Sequence, residues 1–185
     1  NAADVWLIPA AGGELRRLTD TAGPVSLPVF WPDGRTIAFL GHRYRHDAGR
    51  NMQVFTVPVA GGMPTCLTPA LDRTCLPFFT SMTPQWSADG AWITFAVEDQ
   101  GDVPIYRVWA AGGTMPERII TGERQVTGLS RSQDGSQCAF TATDPVSPPE
   151  VFLCHADGTG EKQLTDLNRE WKVEVALARP ERWRY

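Results

Sequence analysis

Apolar residues in this chain come in short aromatic and β-branched runs. Examples are Val5-Trp6-Leu7-Ile8, Leu27-Pro28-Val29-Phe30, Thr36-Ile37-Ala38-Phe39-Leu40, Gln53-Val54-Phe55-Thr56-Val57, Trp92 to Val97 and Ile105 to Trp109. Runs of this kind, bounded by glycine, proline and acidic residues, predict short β-strands. In several of them apolar residues fall on both faces, as in Ala38/Phe39 and Trp92/Ile93. That pattern predicts sheets covered on both sides, not a sheet with one wet face.

The punctuation between the runs repeats. Asp33-Gly34, Asp89-Gly90 and Asp134-Gly135 each open the pattern Asp-Gly-x-x-[Ile/Cys]-x-Phe, ending at Phe39, Phe95 and Phe140. An Asp-Gly pair between apolar runs signals a hairpin, because glycine takes positive φ freely and aspartate bonds the local backbone. A second motif alternates with the first. Gly12-Gly13, Gly61-Gly62 and Gly112-Gly113, with a weaker copy at Gly158-Thr159-Gly160, precede Leu18-Thr19, Leu67-Thr68, Ile120-Thr121 and Leu164-Thr165. The threonines are 49, 53 and 44 residues apart. A recurrence in this range marks a solenoid, a propeller or an array.

One repeat reads as four antiparallel strands, a to d, with Asp-Gly between a and b and Gly-Gly between c and d. Such units are blades of a β-propeller, which commonly has about four to eight. The chain therefore predicts an all-β partial β-propeller: about three complete four-stranded antiparallel blades plus two strands of another. The propeller spans 1–167, with a partial blade at about 1–19 and whole blades at about 20–68, 69–121 and 122–166. A sandwich would not keep the two glycine motifs in phase. Residues 168–185 leave the array, with Asn168 placed to cap a helical turn through Glu170-Trp171 and Val173 to Leu177 alternating.

Composition narrows the function. The 185 residues suffice for one ordinary core, and the net charge of −4 with no basic stripe argues against a nucleic-acid partner. No apolar run approaches a membrane span. The chain starts at Asn1 in mid-pattern, which reads as part of something longer. The four cysteines lack the close pair spacing of zinc ligands, and Cys138 and Cys154 occupy repeat positions held elsewhere by isoleucine or valine. Cys138 should lie opposite Cys154 across a b–c hairpin, both as free thiols, in a cytoplasmic protein. No metal site or cofactor is expected.

Two loops carry the candidate chemistry. Gly41 to Met52 holds His42, Arg43, Tyr44, Arg45, His46 and Arg50; Arg43 would offer a planar fork to a substrate carboxylate, against the plainer reading of a solvated b–c loop. The loop 69–82 puts Arg73, Cys75, Leu76, Phe78, Phe79 and Met82 into one irregular segment. Long loops either carry function or pack on their own side chains. The functional reading places Phe78 and Phe79 toward the channel or a partner domain and Arg73 near a substrate terminus. Glu98, Asp99 and Asp102 lack calcium-loop spacing and read as a polar turn.

The repeats resemble the propellers of the prolyl oligopeptidase family, especially acylaminoacyl-peptidase-like members, and also the periplasmic TolB-type propellers. Two stretches favour the peptidases: Ser147-Pro148-Pro149-Glu150-Val151-Phe152-Leu153 running on to Gln163-Leu164-Thr165-Asp166-Leu167-Asn168, and the exit Ala178-Arg179-Pro180-Glu181-Arg182-Trp183-Arg184-Tyr185. The resemblance implies a propeller that gates access of short peptides to an α/β-hydrolase domain of the same protein. That domain would hold a Ser-Asp-His triad on a Gly-x-Ser-x-Gly elbow. No such elbow occurs here, and Gly128-Leu129-Ser130-Arg131-Ser132 lacks the last glycine, so no catalytic residue is assigned. The expected partners are that hydrolase domain, short peptides, and either the remaining blades or a second copy covering the open edge at Val5–Ile8. The alternative is a TolB-like, non-enzymatic interaction propeller.

Overall fold

In a computed structural model, residues 3–47, 49–78, 80 and 82–183 are described. The Asp-Gly pairs at 33–34, 89–90 and 134–135 each close an a–b hairpin. The Asp33, Asp89 and Asp134 carboxylates accept the backbone N–H of Arg35, Ala91 and Ser136 at 2.7, 3.0 and 3.0 Å. Gly34, Gly90 and Gly135 sit at φ of 69°, 68° and 73°. The turn is thus built from its own residues, which is why it recurs.

The strands are β1 (Trp6–Leu7), β2 (Arg16–Arg17), β3 (Val25–Phe30), β4 (Thr36–Gly41), β5 (Gln53–Pro58), β6 (Thr65–Cys66), β7 (Gln85–Trp86), β8 (Trp92–Ala96), β9 (Ile105–Trp109), β10 (Glu117–Ile120), β11 (Gln125–Arg131), β12 (Gln137–Asp144), β13 (Ser147–His155) and β14 (Lys162–Gln163), followed by the helix α1 (Arg169–Glu174). They form three antiparallel four-stranded sheets, β3–β6, β7–β10 and β11–β14, and one two-stranded sheet, β1–β2. The predicted partial propeller is therefore what the chain forms: three whole blades plus strands c and d of a preceding one.

The repeat positions coincide in register. Phe39, Phe95 and Phe140 pair with Phe55, Tyr106 and Phe152, and the rings stack at 5.4, 6.3 and 5.3 Å. Stacked aromatic pairs of this kind contribute about 0.5–1.5 kcal/mol beyond their burial. The recurring threonine has a role as well. Thr19, Thr68 and Thr165 each accept a backbone N–H on the c side of their blades, from Val5 just before β1, Val54 in β5 and Val151 in β13, at 2.9, 3.0 and 2.9 Å.

Burial lies between blades. One apolar cluster joins Val5 and Leu18 to Ile37, Phe39, Phe55 and Val57. A second joins Ala38, Leu40 and Val54 to Trp86, Ile93, Phe95, Tyr106 and Val108. The third joins Ala96, Ile105 and Ile120 to Val126, Cys138, Phe140, Ala142 and Cys154. Strands b and c alternate between two cores, so both faces are apolar. Cys138 and Cys154 face each other in the β12–β13 register as free thiols. Burial raises both thiols, and Cys138 beside it helps take Cys154 to about 11.

The exit departs from its expected form. Val173 and Glu174 lie in α1, not in an alternating extended run. Asn168 stands at the helix start without a side-chain capping bond; its side-chain amide and backbone N–H both donate to Glu150.

Candidate functional site on the loop face

A four-stranded meander puts its a–b and c–d turns on one face and its b–c loops and d–a connections on the other. All the candidate residues fall on this second, loop face or run from it. Here the blades differ.

The entry loop 69–82 is stitched to two blades. Toward the first whole blade, Cys75 N–H donates to Met52 O at 2.7 Å, and Met52 N–H donates to Thr74 Oγ1 at 3.2 Å. Toward the second, Glu98 N–H donates to Thr74 O at 2.9 Å. Arg73 reaches Asp99 with Nε at 2.8 Å. Asp99 is 5% exposed and also receives Tyr106 Oη at 3.2 Å and the Arg118 guanidinium. Burial pushes its carboxyl up, but the Arg73 hydrogen bond and the Arg118 charge outweigh this and hold it below its ordinary value. Tyr106 moves the other way, raised chiefly by burial. The expected polar turn is present, since Asp99 and Asp102 exchange backbone hydrogen bonds. Its leading residue, however, is a buried anion under two arginines. Two cations and a phenol offset its desolvation, as a buried charge requires.

Asp102, on the same turn, forms a two-pronged ion pair with Arg182 of the exit segment, one arm at 2.7 Å. Val103 bridges to the third blade: its N–H donates to Arg124 O at 3.0 Å and its carbonyl accepts Val126 N–H at 3.1 Å. Arg124 forks onto Glu161 at 2.8 and 2.5 Å and lies over the Phe140 and Phe152 rings at 5.3 and 5.2 Å. Between these groups runs a cleft of two adjoining parts, about 230 and 680 Å³, walled by Asp102, Glu123, Arg124, Asp144, Arg179 and Arg182. Its lining carries charges of both signs, so it suits a polar or charged group better than a wholly apolar molecule.

The remaining candidates lie apart. Arg43 reaches back over the Phe55 ring at 5.4 Å and donates to Pro64 O at 2.5 Å. It lines a groove of about 330 Å³ shared with Arg17, Asp20 and Thr21 of the partial blade. Arg43 and Arg73 therefore do not share a site. Phe78 is 86% exposed on the entry loop, and Phe79 lies outside the described residues. His42 corrects the picture of a wholly solvated b–c loop. It is 4% exposed beside Gly23, where a Cβ would stand 2.0 Å from His42 O, and burial lowers its pKa so that it is neutral at pH 7. Sequence spacing did not expose Arg118, Tyr106, Arg124 or Arg182 as partners; no local motif carries these pairings. Ser130 is an exposed residue near the end of β11, paired with Ala139 and followed by an Asp-Gly hairpin, and not an elbow. Among the described residues no cluster of His, Cys, Asp and Glu is arranged to hold a metal ion, and no helix is long and apolar enough to cross a membrane.

This architecture is that of a β-propeller. No family model matches the chain. An uncharacterized protein of Agrobacterium fabrum is 26% identical over 168 residues, covering 89% of this chain and 50% of its own length. A protein of Agrobacterium tumefaciens assigned as TolB superposes with a TM-score of 0.68 at 25% identity, over 89% of this chain and 57% of that one. The uncomplexed acylaminoacyl peptidase of Pyrococcus horikoshii superposes at 0.69 with 17% identity, over 94% of this chain and 24% of that one. The chain thus spans half the length of the curated Agrobacterium fabrum relative. The neighbours include propellers of both peptidases and TolB, which establishes the fold and leaves the activity to be argued from the site.

Proposed function

We propose that this chain is the propeller portion of a cytoplasmic serine peptidase of the prolyl oligopeptidase class, gating short peptides on their way to a hydrolase domain of the same protein. The observation that carries this reading is the path of the exit. The chain leaves the third blade on the loop face, and Arg182 ties it back to Asp102 of the second blade, beside the charged cleft. Trp171, Val173, Leu177 and Trp183 along that exit are 42, 82, 40 and 79% exposed, an apolar strip suited to a packed neighbour. A following domain would then sit over the face that carries Arg73, Phe78 and the cleft. Phe79 shares that loop in sequence. In this reading Arg73 holds the entry loop in place through Asp99, and the cleft arginines attract peptide carboxylates. Arg43 serves the outer groove. Trp6, Ile8 and Leu15, 53 to 58% exposed on the partial blade, would be covered by further blades or a second copy.

The test is labelling of the intact protein with a serine-directed fluorophosphonate, together with turnover of a short N-acylated peptide. Labelling with turnover supports the peptidase. Neither, combined with retention of a protein partner on the loop face, favours the second reading, a TolB-like interaction propeller, for which the 25% identity to the Agrobacterium TolB is the specific support.

A further inference from the structure

The turn face has one irregularity. Turn hydrogen bonds align Trp31 with Ser87 and Ser132, since the N–H groups of Gly34, Gly90 and Gly135 donate to their carbonyls. Strand register aligns Phe30 with Trp86 and Arg131, which pair with Ile37, Ile93 and Cys138. Between the first and second whole blades, Trp31 stacks on Trp86 at 5.5 Å and 13° and covers Gly90. At the next junction the equivalent pair is Ser87 and Arg131. Two indoles are replaced by a hydroxymethyl and a guanidinium, and a cleft of about 300 Å³ opens there. Its walls include Ser87, Asp89, Trp92, Arg107, Arg131 and Gly135.

Arg131 is only partly satisfied in this cleft. One terminal nitrogen donates to Thr94 Oγ1 at 2.5 Å, while Nε is buried without an acceptor. Among the described residues it makes no ion pair. Nε is too enclosed for a ligand to reach, but Nη1 bonds no acceptor among the described residues and is not enclosed, so the Nη1–Nη2 edge is the one offered to the cleft. The neighbouring cation is already committed: Arg107, opposite Thr94 in the β8–β9 register, bonds Glu117 at 2.5 Å and lies 4.4 Å over the Trp92 ring. Trp92 is held edge-on by Trp109 at 5.1 Å, so the cleft has a fixed aromatic wall. Asp89 stands at the rim with one oxygen taken by Ser87 Oγ and Ala91 N–H. Its negative charge opposes a dianion more than a monoanion.

We infer that the cleft between the second and third whole blades is a binding site for a carboxylate with a small body, with Arg131 as the anchoring fork and Trp92 as the packing wall. A carboxylate offers two planar acceptors to the guanidinium edge, a match phosphate dianions make only against the Asp89 charge. The volume is at the lower end for ligand pockets, about 300 Å³, which fits an amino-acid-sized group or the last residue of a peptide. This site lies on the face opposite the charged cleft and does not depend on whether the protein is a peptidase.

The test is calorimetric titration of the intact protein with sodium propionate, N-acetylglycine, N-acetylglycinamide and inorganic phosphate at fixed ionic strength. Saturable binding of the two carboxylates is expected, with Kd in the millimolar range, equivalent to about −4 kcal/mol at 1 mM. N-acetylglycine binding tenfold more tightly than propionate assigns the site to peptide C-termini; equal affinities assign it to free small carboxylates. Arg131→Met should weaken N-acetylglycine at least tenfold and Arg131→Lys at least threefold, the latter carrying the test if the methionine variant does not fold. Absence of saturable carboxylate binding overturns the inference. So does an amide or phosphate that binds as tightly as N-acetylglycine, or an unchanged Kd in the variants.

Discussion

The two faces of this array of blades obey different rules. On the turn face, each Asp-Gly hairpin is closed by bonds spanning two to five residues, and the same geometry appears three times. On the loop face the connecting bonds are long-range. Arg73 meets Asp99 across 26 positions, and Arg182 meets Asp102 across 80. Repeating chemistry builds the scaffold, and non-repeating chemistry occupies the face where the blades differ. Function in such an array belongs on the second kind of surface, or where the first kind breaks its own rule, as at Arg131.

The largest test of this contrast is Asp99→Ala. It leaves two arginines and a buried phenol around an empty acceptor position. The expected loss is about 3 kcal/mol in urea unfolding, toward the lower end for breaking a buried pair because both arginines are partly exposed. Hydrogen exchange should speed up at Cys75 and Glu98, where the entry loop is stitched, and not at the Asp-Gly turns. Uniform acceleration would mean that the loop face is no more separable than the turn face.

Next comes a matched pair, Gly90→Ala and Gly34→Ala. The two glycines share φ and motif. A Cβ at Gly34 meets nothing within 4 Å, whereas at Gly90 it stands 1.8 Å from the Trp31 indole. Gly34→Ala should cost about 1 kcal/mol, the left-handed penalty alone. Gly90→Ala should cost about 2–3 kcal/mol, since overpacking adds to that penalty. Equal losses would show that the turn face is purely local and that the Trp31–Trp86 stack yields freely.

Thr68→Val is a smaller change. It removes the acceptor for Val54 N–H and should lower stability by about 1–2 kcal/mol, as expected for a buried donor left unpaired. A neutral result would mean that the recurring threonine is only spacing.

The last test is confined to acid pH and concerns Glu150, whose carboxyl is held down to about 2, first by the Thr165 hydroxyl and then, against burial, by the Leu167 and Asn168 N–H groups. A depressed carboxylate contributes stability above its unfolded pKa and loses it as pH falls through the folded value. Unfolding between pH 4.5 and 2 should therefore show a falling stability that Glu150→Gln flattens. An unchanged slope in the variant would detach the exit segment from this anchor.

Much of this molecule was legible in order along the chain. The threonine spacing counted the blades, the Asp-Gly pairs located the hairpins, and centring the third b–c hairpin set Cys138 opposite Cys154. These features are encoded locally: a glycine that accepts positive φ, an aspartate that bonds two residues on, and an alternation that assigns faces. Arg73 also stood out, because a cation within an apolar loop is unusual. Its partner did not. Asp99 looked like part of an exposed polar turn, since burial of a carboxylate depends on groups that the chain brings from 26 residues before it and 19 after it. His42 was hidden in the same way, covered by the d–a connection at Gly23. The separation of Arg43 from Arg73, the cleft closed by Arg182, and the change from two stacked indoles to Ser87 and Arg131 exist only once neighbouring blades are set side by side. The repeat by itself determined each blade; packing one blade on the next decided which side chains are buried, which are paired, and where a ligand has room.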